Sequence, residues 1–439
     1  MAPFVDLKTL YSQSPPSFGK EALQLFAMDP KYINLNNGSY GTPPKAVLQY
    51  AFEVSQEIES NPERFHRFGY QDRLNEARSQ VASLIGAQTD ECYLVANATA
   101  GINTVMRNFS WDKDDIIFTF NTSYSAISST ATYLSDVPPH PKVLRFQLNF
   151  PLTQEEIVQQ FKAFLQSPEA KVGPNNKRVA VIDSIISNPG ALLPWKELTK
   201  ICKEESVWSV IDAAHSIGQE LDINLSEAQP DFWVSNCHKW LYAKRGCAVL
   251  YIPFRNQHVI KTTVPTSNYY IPLAQRNGKP NLAEQFEFIS VSTVSTGVGT
   301  IDFAPYLSVL EALKFRKWLG GEHKINEYCH DLALKGGRRL AEILGTQVMD
   351  LDGSLTVNMV NVELPLPLTL KWSQQLYEKL NSKLIEEHHT YSAWYFYNGK
   401  WWTRVSCEIF NDLEDFENLG PAWLQVTKEI TKEHEEGKF

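Results

Sequence analysis

Two charged groups near the middle of the chain stand where charged side chains are costly. The segment 207–252 contains three short apolar runs, VWSVI, FWVSN and CAVLYI, each of strand length and rich in β-branched or aromatic residues. Asp212 closes the first run, and the pair His238-Lys239 follows the second. A carboxylate or an ammonium at the end of a buried strand is expensive unless a partner compensates its charge. We therefore expect Asp212 and Lys239 to share a ligand.

Pyridoxal 5'-phosphate would compensate both charges. Its ring nitrogen works as an electron sink only while it is protonated, and a fixed carboxylate such as Asp212 keeps it protonated. Its aldehyde needs a lysine amine, and Lys239 suits that role. For an Asp/Lys pair alone, a surface position at the start of a loop is the commoner explanation. The residues around this pair decide between the two.

The surrounding residues resemble a known signature. DAAHSIGQ at residues 212–219, followed by SNCHKWLYAKRGCAVLY at residues 235–251, is similar to the signature of the class V aminotransferase group of fold-type I pyridoxal phosphate enzymes. The resemblance extends from LNNGSYGTPP at residue 35 to RVSCEIF at residue 404. It implies an α/β fold, in which a large domain over residues 33–310 carries a mostly parallel sheet of seven strands. Residues 1–32 and 311–439 are then expected to form a smaller α+β domain.

Composition excludes several other classes of protein. A length of 439 residues suits one large and one smaller domain. The net charge of -9 argues against a nucleic-acid partner, and no apolar run is long enough to predict a membrane span. The N-terminal segment lacks the pattern of a signal peptide, so we expect a cytosolic protein. The six cysteines include no C-x-x-C pair, which predicts reduced thiols and neither a disulfide framework nor a zinc site.

A helix start after a predicted strand offers a site for the cofactor phosphate. ECYLVANATAGINTVMRN predicts a strand, a turn of small residues and a helix that begins near Thr99. The amides of Ala98, Thr99 and Ala100, with the Thr99 hydroxyl, would bind an anion there, although an ordinary helix cap is the alternative. The resemblance implies a further phosphate contact from His238. It implies another from Thr300 of a neighbouring subunit, and hence a homodimer with shared active sites.

Other strand ends supply candidates for contacts to the cofactor ring. Tyr124 follows the predicted strand DIIFTF. Packing is the usual role of such an aromatic ring, and the resemblance implies stacking on the cofactor, so that Tyr124 joins Lys239 as a candidate catalytic residue. The resemblance implies that His215 reaches the phenolic oxygen or the Schiff-base region. It also implies a polar side chain near the phenolic oxygen from Ser187 or Asn188, between which the sequence does not decide. Asp212 and His215 have no third ligand at a suitable spacing, so we predict no metal.

The substrate is expected to be a small amino acid. Arg404 in WWTRVSCEIF matches the arginine that binds the substrate α-carboxylate in relatives, and a guanidinium suits a carboxylate better than an ammonium does. Asn37 stands in the loop that relatives place at the mouth of the site, where they often carry His. The role of the segment 269–298 stays open.

The expected chemistry begins with removal of the α-proton by Lys239. A sulfur leaving group on Cβ would then depart with formation of pyruvate and ammonia, whereas return of the proton would give an epimerase and transfer to a keto acid a transaminase. Desulfurases need a mobile cysteine shortly before the carboxylate-binding arginine. The segment 383–403 contains no cysteine, and Cys407 follows Arg404 in a predicted strand. A persulfide relay is therefore disfavoured.

Within the family, the words LNNGSYGT, VANATAGINTV and SNCHKWL are most similar to the C–S lyase group of ergothioneine biosynthesis. This likeness implies a lyase that cleaves a cysteine S-conjugate sulfoxide. The next likeness is to enzymes of loline alkaloid biosynthesis, which leaves γ-substitution or cyclisation as an alternative. A desulfurase, an epimerase and a degenerate binding protein are the remaining alternatives.

Overall fold

A sheet of seven strands forms the centre of the computed structural model, which describes residues 5–261 and 301–439. Its strand order is β2-β8-β7-β6-β5-β3-β4, and all neighbours are parallel except the two pairs that involve β8. The predicted mostly parallel sheet of seven strands is confirmed. The strands of the chain are β1 Ile33–Asn34, β2 Cys92–Val95, β3 Ile116–Phe120, β4 Lys142–Phe146, β5 Arg178–Asp183, β6 Trp208–Asp212, β7 Phe232–Ser235, β8 Ala248–Tyr251, β9 Met359–Glu363, β10 Thr390–Tyr391, β11 Ala393–Tyr397 and β12 Lys400–Ser406.

Helices cover this sheet, as the alternation of strand and helix in the sequence predicts. The helix that begins at Ala98 is capped by the side chain of Asn97, which places its start one residue before the predicted Thr99. None of the helices in the two described ranges has both the length and the apolar character that a membrane span requires. The longer helices are α1 Lys45–Ser60, α2 Gln71–Leu84, α3 Ala98–Asn108, α4 Ser125–Asp136, α5 Gln154–Gln166, α6 Trp195–Glu204, α7 Ala304–Leu319, α8 Glu322–Leu344, α9 Gln374–Ser382 and α10 Leu413–Glu435. Shorter helices span Leu7–Tyr11, Lys20–Leu23, Asn37–Tyr40, Pro62–Arg64 and Leu225–Ala228, and single turns of 3-10 or π geometry span Phe65–Gly69, Thr89–Glu91, Pro168–Ala170, Phe254–Val259 and Lys383–Glu387.

A second, antiparallel sheet of three strands has the order β11-β12-β9. The apolar residues of these strands pack with those of α8, α9 and α10 in a second core cluster. The short strands β1 and β10 pair in parallel beside it. These elements agree in type with the expected α+β part, and the division of the chain at residues 32 and 310 stays a prediction.

The register of the large sheet brings several strand ends to one edge. Strands β3 and β5 are buried along their whole length, which explains why their sequences, IIFTF and RVAVID, are mostly apolar. Asp183 at the end of β5 lies opposite Asp212 at the end of β6, and Asp212 in turn lies opposite Val234 of β7. The loop that carries Lys239 therefore leaves the sheet beside Asp212. Ligands of parallel sheets bind at this carboxyl edge.

A buried arginine on α7 holds the loops that follow β6 and β7. Arg316 donates from Nη1 to the carbonyl oxygen of Trp240 at 2.7 Å and from Nη2 to that of Gly218 at 2.9 Å. Its Nε also donates to Glu322 at 2.6 Å. Because Trp240 directly follows Lys239, this clamp fixes the backbone on which the lysine stands.

The LNNGSYG turn packs directly on the backbone of the same lysine loop. Gly41 has a φ of +66°, and a Cβ atom at this position would lie 1.8 Å from the carbonyl oxygen of His238. The side chain of Arg245 donates to the carbonyl oxygen of Gly41 at 2.7 Å and holds the turn in place. Only glycine fits both the backbone conformation and the space.

We expect Gly41→Ala to destabilise the protein far more than Gly321→Ala does. Gly321 has a similar backbone conformation, with φ of 87° and ψ of 179° against 66° and 164° at Gly41, but a Cβ atom there would meet open space. The matched substitution therefore measures the cost of the conformation alone, about 1–3 kcal/mol. The additional clash at Gly41 should lower the free energy of unfolding by roughly 2–3 kcal/mol more. Urea unfolding of both variants measures this difference, and equal losses would contradict the close approach.

We also expect Arg316→Met to lower the free energy of unfolding by about 3 kcal/mol, because it leaves Glu322 and two backbone carbonyls without their donor. Arg339→Met is the matched control, since Arg339 makes its ion pairs with Glu342 and Glu417 at the surface. The control should change the urea unfolding midpoint little. A similar loss in both variants would show that the clamp adds nothing to stability.

Candidate active site

Lys239 faces a histidine at the carboxyl edge of the large sheet. Its Nζ lies 3.1 Å from Nε2 of His215, which is buried. Lys239 keeps some access to solvent, but the surrounding protein desolvates the ammonium and, with the charge of Arg404, lowers the pKa of Lys239 to about 7. The carboxylate of Asp212 acts in the opposite direction. Near neutral pH a large fraction of Lys239 is therefore the free amine, which is the nucleophilic form.

Asp212 is a buried carboxylate with few protein partners of its own. Its Oδ1 accepts from the amide of Ala214 at 3.1 Å, and burial raises its pKa. Asp183 lies beside it on β5, where burial and the charge of Asp212 raise the pKa of Asp183 well above its usual value. The sequence reading did not select Asp183. The signal was present, because RVAVID ends on an aspartate at the same position in the strand as VWSVID does.

Arg404 is a buried guanidinium without a carboxylate partner among the described residues. It is 1% exposed, and its burial lowers its pKa to about 10. Its Nη1 donates to the carbonyl oxygen of Ser187 at 2.7 Å, and its Nη2 donates to Oδ1 of Asn36 at 2.9 Å and to Oγ of Ser39 at 3.1 Å. Neutral acceptors hold the group in place and leave its charge uncompensated, which suits the binding of an anion.

Ser187 and Asn188 have different surroundings, and which of them meets the cofactor stays a prediction. Ser187 touches the guanidinium through both its carbonyl oxygen and its hydroxyl, at 2.7 and 3.3 Å, whereas the side chain of Asn188 is exposed. Asn36 was missed in the sequence, although it is adjacent to the candidate Asn37. Asn37 instead donates to the carbonyl oxygen of Lys239 and to Glu408, both at 3.4 Å. It therefore supports the lysine loop.

The predicted phosphate contacts are partly occupied by protein groups. The amide of Ala98 donates to Oδ1 of Asn236 at 2.9 Å, and the amide of Ala100 donates to Oδ1 of Asn97 at 2.8 Å. These bonds compete with an anion for the two amides. Thr99 lies between them and is half-buried. A phosphate contact at this helix start stays a prediction.

His238 has one ring nitrogen committed to the protein. Its Nδ1 lies 2.9 Å from the carbonyl oxygen of Cys247, and since a carbonyl only accepts, Nδ1 carries the proton. Burial lowers the pKa of His238, so the second nitrogen is unprotonated near neutral pH. His238 can thus donate to a phosphate only as an imidazolium, a form that a dianion beside it would favour.

Two further candidates lie at the periphery of the described structure. Tyr124 is the residue before helix α4, and its side chain is 50% exposed. This leaves a face of its ring available, and its stacking on a cofactor stays a prediction. Thr300 and the segment 269–298 lie outside the described residues.

The residues at the sheet edge fit pyridoxal phosphate. Lys239 offers an amine with a lowered pKa for the aldehyde, and the buried Asp212 offers a carboxylate for the ring N–H. The unpaired charge of Arg404 would be compensated by the carboxylate of an amino acid. Each of the three groups makes fewer hydrogen bonds to the protein than its chemistry permits.

Comparisons with known proteins agree with this fit. The family model described as Aminotransferase class-V matches residues 33–418. The L-cysteine desulfhydrase-like protein lolT1 of Epichloe uncinata is 34% identical over 445 residues, which cover 94% of this chain and 96% of that protein. The hercynylcysteine sulfoxide lyase of Schizosaccharomyces pombe is 34% identical over 406 residues, which cover 91% of this chain and 95% of that protein.

The fold has solved counterparts. A mutant of C-DES with glycine covalently linked to the PLP cofactor matches with a TM-score of 0.72 at 17% sequence identity, over 92% of this chain and 98% of the other. This likeness confirms the predicted fold class. Together with the family match over most of the chain, it bears out the recognition made from the DAAHSIGQ and SNCHKWL motifs. The chain belongs to the aminotransferase class-V family, and its cofactor is pyridoxal 5'-phosphate.

Proposed function

We propose that the protein is a carbon–sulfur lyase that cleaves a cysteine S-conjugate sulfoxide. The proposed substrate is hercynylcysteine sulfoxide, and the proposed products are pyruvate, ammonia and a sulfenic acid, which an external thiol would reduce by two electrons to ergothioneine. The similarity to the hercynylcysteine sulfoxide lyase of Schizosaccharomyces pombe supports this choice of substrate. The observation that carries the reaction type is the combination of Lys239, whose pKa is lowered to about 7, with the burial of all six cysteines.

The side chains of the site suit removal of a proton from Cα. Arg404 would bind the α-carboxylate and fix the orientation of the substrate. Asp212 would hold the proton on the ring nitrogen of the cofactor. Bound pyridoxal phosphate supplies an electron sink for the charge that develops at Cα. Because the pKa of Lys239 is lowered to about 7, a large fraction of this residue is a free amine near neutral pH, and its Nζ would accept the α-proton.

The fate of the sulfur follows from where the cysteines lie. All six cysteines are within the described residues, and all six are buried. Cys407, the cysteine nearest Arg404 in sequence, follows β12, and burial raises the pKa of its thiol well above its usual value. A buried thiol of this kind is a poor nucleophile. We infer that the bond between Cβ and sulfur breaks by elimination and that the sulfur leaves directly as a sulfenic acid.

A cavity beside the site offers room for the substituent on sulfur. Its volume is about 480 Å³, and its wall includes the side chains of Asn36, Tyr32, Tyr377 and Tyr391. Asn36 connects the cavity to the site, because its Oδ1 accepts from Arg404.

A second candidate is cleavage of cysteine itself, with hydrogen sulfide as the sulfur product. The similarity to the L-cysteine desulfhydrase-like protein lolT1, at the same 34% identity, favours it. Both reactions release pyruvate and ammonia, so the sulfur product distinguishes them. The γ-substitution or cyclisation alternative would release no pyruvate.

We further propose a cytosolic homodimer with shared active sites. The family resemblance is the support, through the expected contact of Thr300 with the phosphate of the neighbouring subunit. The symmetric arrangement would complete each phosphate site with a residue from the other chain.

We expect the holoenzyme to form pyruvate and ammonia in equal amounts from hercynylcysteine sulfoxide. Lys239→Ala should lower the rate by at least about a thousandfold, because it removes the base. It should also remove the visible absorbance band of the bound cofactor. The surface variant Lys162→Ala should keep both properties. Hydrogen sulfide formation from cysteine, without pyruvate from the sulfoxide, would overturn the proposed substrate.

We expect Arg404→Lys to lower kcat/KM about a hundredfold, since an ammonium has three N–H groups and cannot keep the contacts to Ser187, Asn36 and Ser39 while it also binds a carboxylate. Steady-state kinetics of pyruvate release measure this change, with the exposed Arg255→Lys as the control. A substrate analogue that lacks the α-carboxylate gives the specific test by competitive inhibition. It should bind the wild type more weakly than the substrate does, and should bind Arg404→Met and wild type equally well. If the substitution weakens both ligands alike, Arg404 does not bind the carboxylate.

A further inference from the structure

The residue after the lysine is linked to the lysine amine through a histidine. Nε1 of Trp240 lies 3.3 Å from Nδ1 of His215, and Nε2 of the same ring lies 3.1 Å from Nζ of Lys239. Trp240 and His215 are both buried. The three groups form a single hydrogen-bonded chain, whose direction is set by the chemistry of its first member.

An indole N–H only donates, so Nδ1 of His215 must be the acceptor from Trp240. A neutral imidazole carries one N–H, which then stands on Nε2. This N–H points at Nζ of Lys239, and Nζ accepts a hydrogen bond only when it has a lone pair. An ammonium has none. Both hydrogen bonds can therefore exist together only when Lys239 is a neutral amine.

We propose that Trp240, acting through His215, holds Lys239 in the unprotonated form that condenses with the aldehyde of the cofactor. Trp240 is thus a positioning residue, and the inference rests on the proposed role of Lys239 as the cofactor lysine. The chain of donors also orients the lone pair of Nζ, because the N–H of His215 fixes its direction.

The charged groups around Lys239 have opposite effects on its pKa. Arg404 of β12 disfavours the ammonium, whereas Asp212 of β6 favours it. Asp183 of β5 lies beside Asp212, and burial, followed by the charge of Asp212, raises the pKa of Asp183 well above its usual value. Burial and these charges together leave the pKa of Lys239 at about 7. At such a pKa, one additional hydrogen-bond donor shifts the populations of amine and ammonium.

The imidazolium form of His215 would break the chain, because it has a proton on both nitrogens. Burial disfavours this form and lowers the pKa of His215 well below its usual value, and the charges of Lys239, Arg404 and His238 add to the effect. His215 therefore stays neutral over the pH range in which Lys239 titrates.

Trp240→Phe tests the proposal, because it removes the indole N–H and keeps an aromatic ring. His215 can then carry its proton on Nδ1 and accept from an ammonium. The measurement is the rate at which the apoenzyme gains the visible absorbance band after addition of pyridoxal phosphate, as a function of pH. In the wild type, the pH dependence of this rate should have its midpoint near 7, at the pKa of Lys239. If the variant raises this midpoint by about one pH unit, uptake of the cofactor should be about tenfold slower below the midpoint and unchanged at high pH.

Trp233→Phe is the matched control for lost volume. Trp233 is as fully buried as Trp240, and its indole nitrogen has no hydrogen-bond partner among the described residues. The control should keep the midpoint of the wild type. An equal shift in both variants, or a constant ratio of variant to wild-type rates across the pH range, would overturn the proposal.

His215→Gln, compared with His215→Leu, is a second test that does not depend on the stability of Trp240→Phe. The amide oxygen of glutamine can accept from Trp240 while its NH2 group donates to Lys239, so the direction of the chain is preserved. The midpoint should stay near that of the wild type. His215→Leu, which removes both functions, should raise it. A raised midpoint in His215→Gln, or an unchanged one in His215→Leu, would contradict the relay.

The outcome for the relay is separable from the outcome for the proposed function. A visible band in Lys239→Ala that persists after free amino acids have been removed by dialysis would show that another lysine holds the cofactor and would end the proposed role of Lys239. A band that requires Lys239, with the same midpoint in wild type and Trp240→Phe, would overturn the relay alone.

Discussion

The protein keeps three ionisable groups at one sheet edge with fewer partners than each can use. Lys239 faces a neutral histidine, Asp212 accepts a single backbone N–H, and Arg404 is held by uncharged oxygens. Burial shifts the pKa of all three toward the neutral form. Such an arrangement costs stability in the absence of a ligand. A cofactor with a cationic ring and an aldehyde, together with a carboxylate substrate, supplies the missing partners.

The rest of the fold keeps these groups from finding partners within the protein. The parallel strands end at one edge, so that β6 and β7 present Asp212 and the lysine loop side by side. Arg316 fixes the backbone of that loop by a hydrogen bond to the carbonyl oxygen of Trp240, and the turn at Gly41 packs against the carbonyl oxygen of His238 in the same loop. Rigid support of this kind preserves a charge arrangement that relaxation would otherwise remove.

The sheet and the three charged groups could be predicted from the sequence because each is indicated by a short run of consecutive residues. A buried apolar run that ends in Asp212, or one followed by Lys239, is visible without knowledge of the fold. The partners of these groups are separated from them in sequence and were not foreseen. Asn36 meets Arg404 across 368 residues, and Asp183 meets Asp212 only through strand register. The roles of the individual site residues accordingly remain proposals, whereas the fold and the family are established.

The pair Asp183 and Asp212 shows how the cofactor and the fold depend on each other. Two buried carboxylates in register repel each other when both are ionised, and burial, together with the charge of Asp212, raises the pKa of Asp183 well above its usual value. Bound pyridoxal phosphate would bring a cationic ring nitrogen to Asp212 and would favour the ionised form of that carboxyl group. Asp212 would in turn keep the ring nitrogen protonated, so that the carboxylate and the ring would stabilise each other's charge.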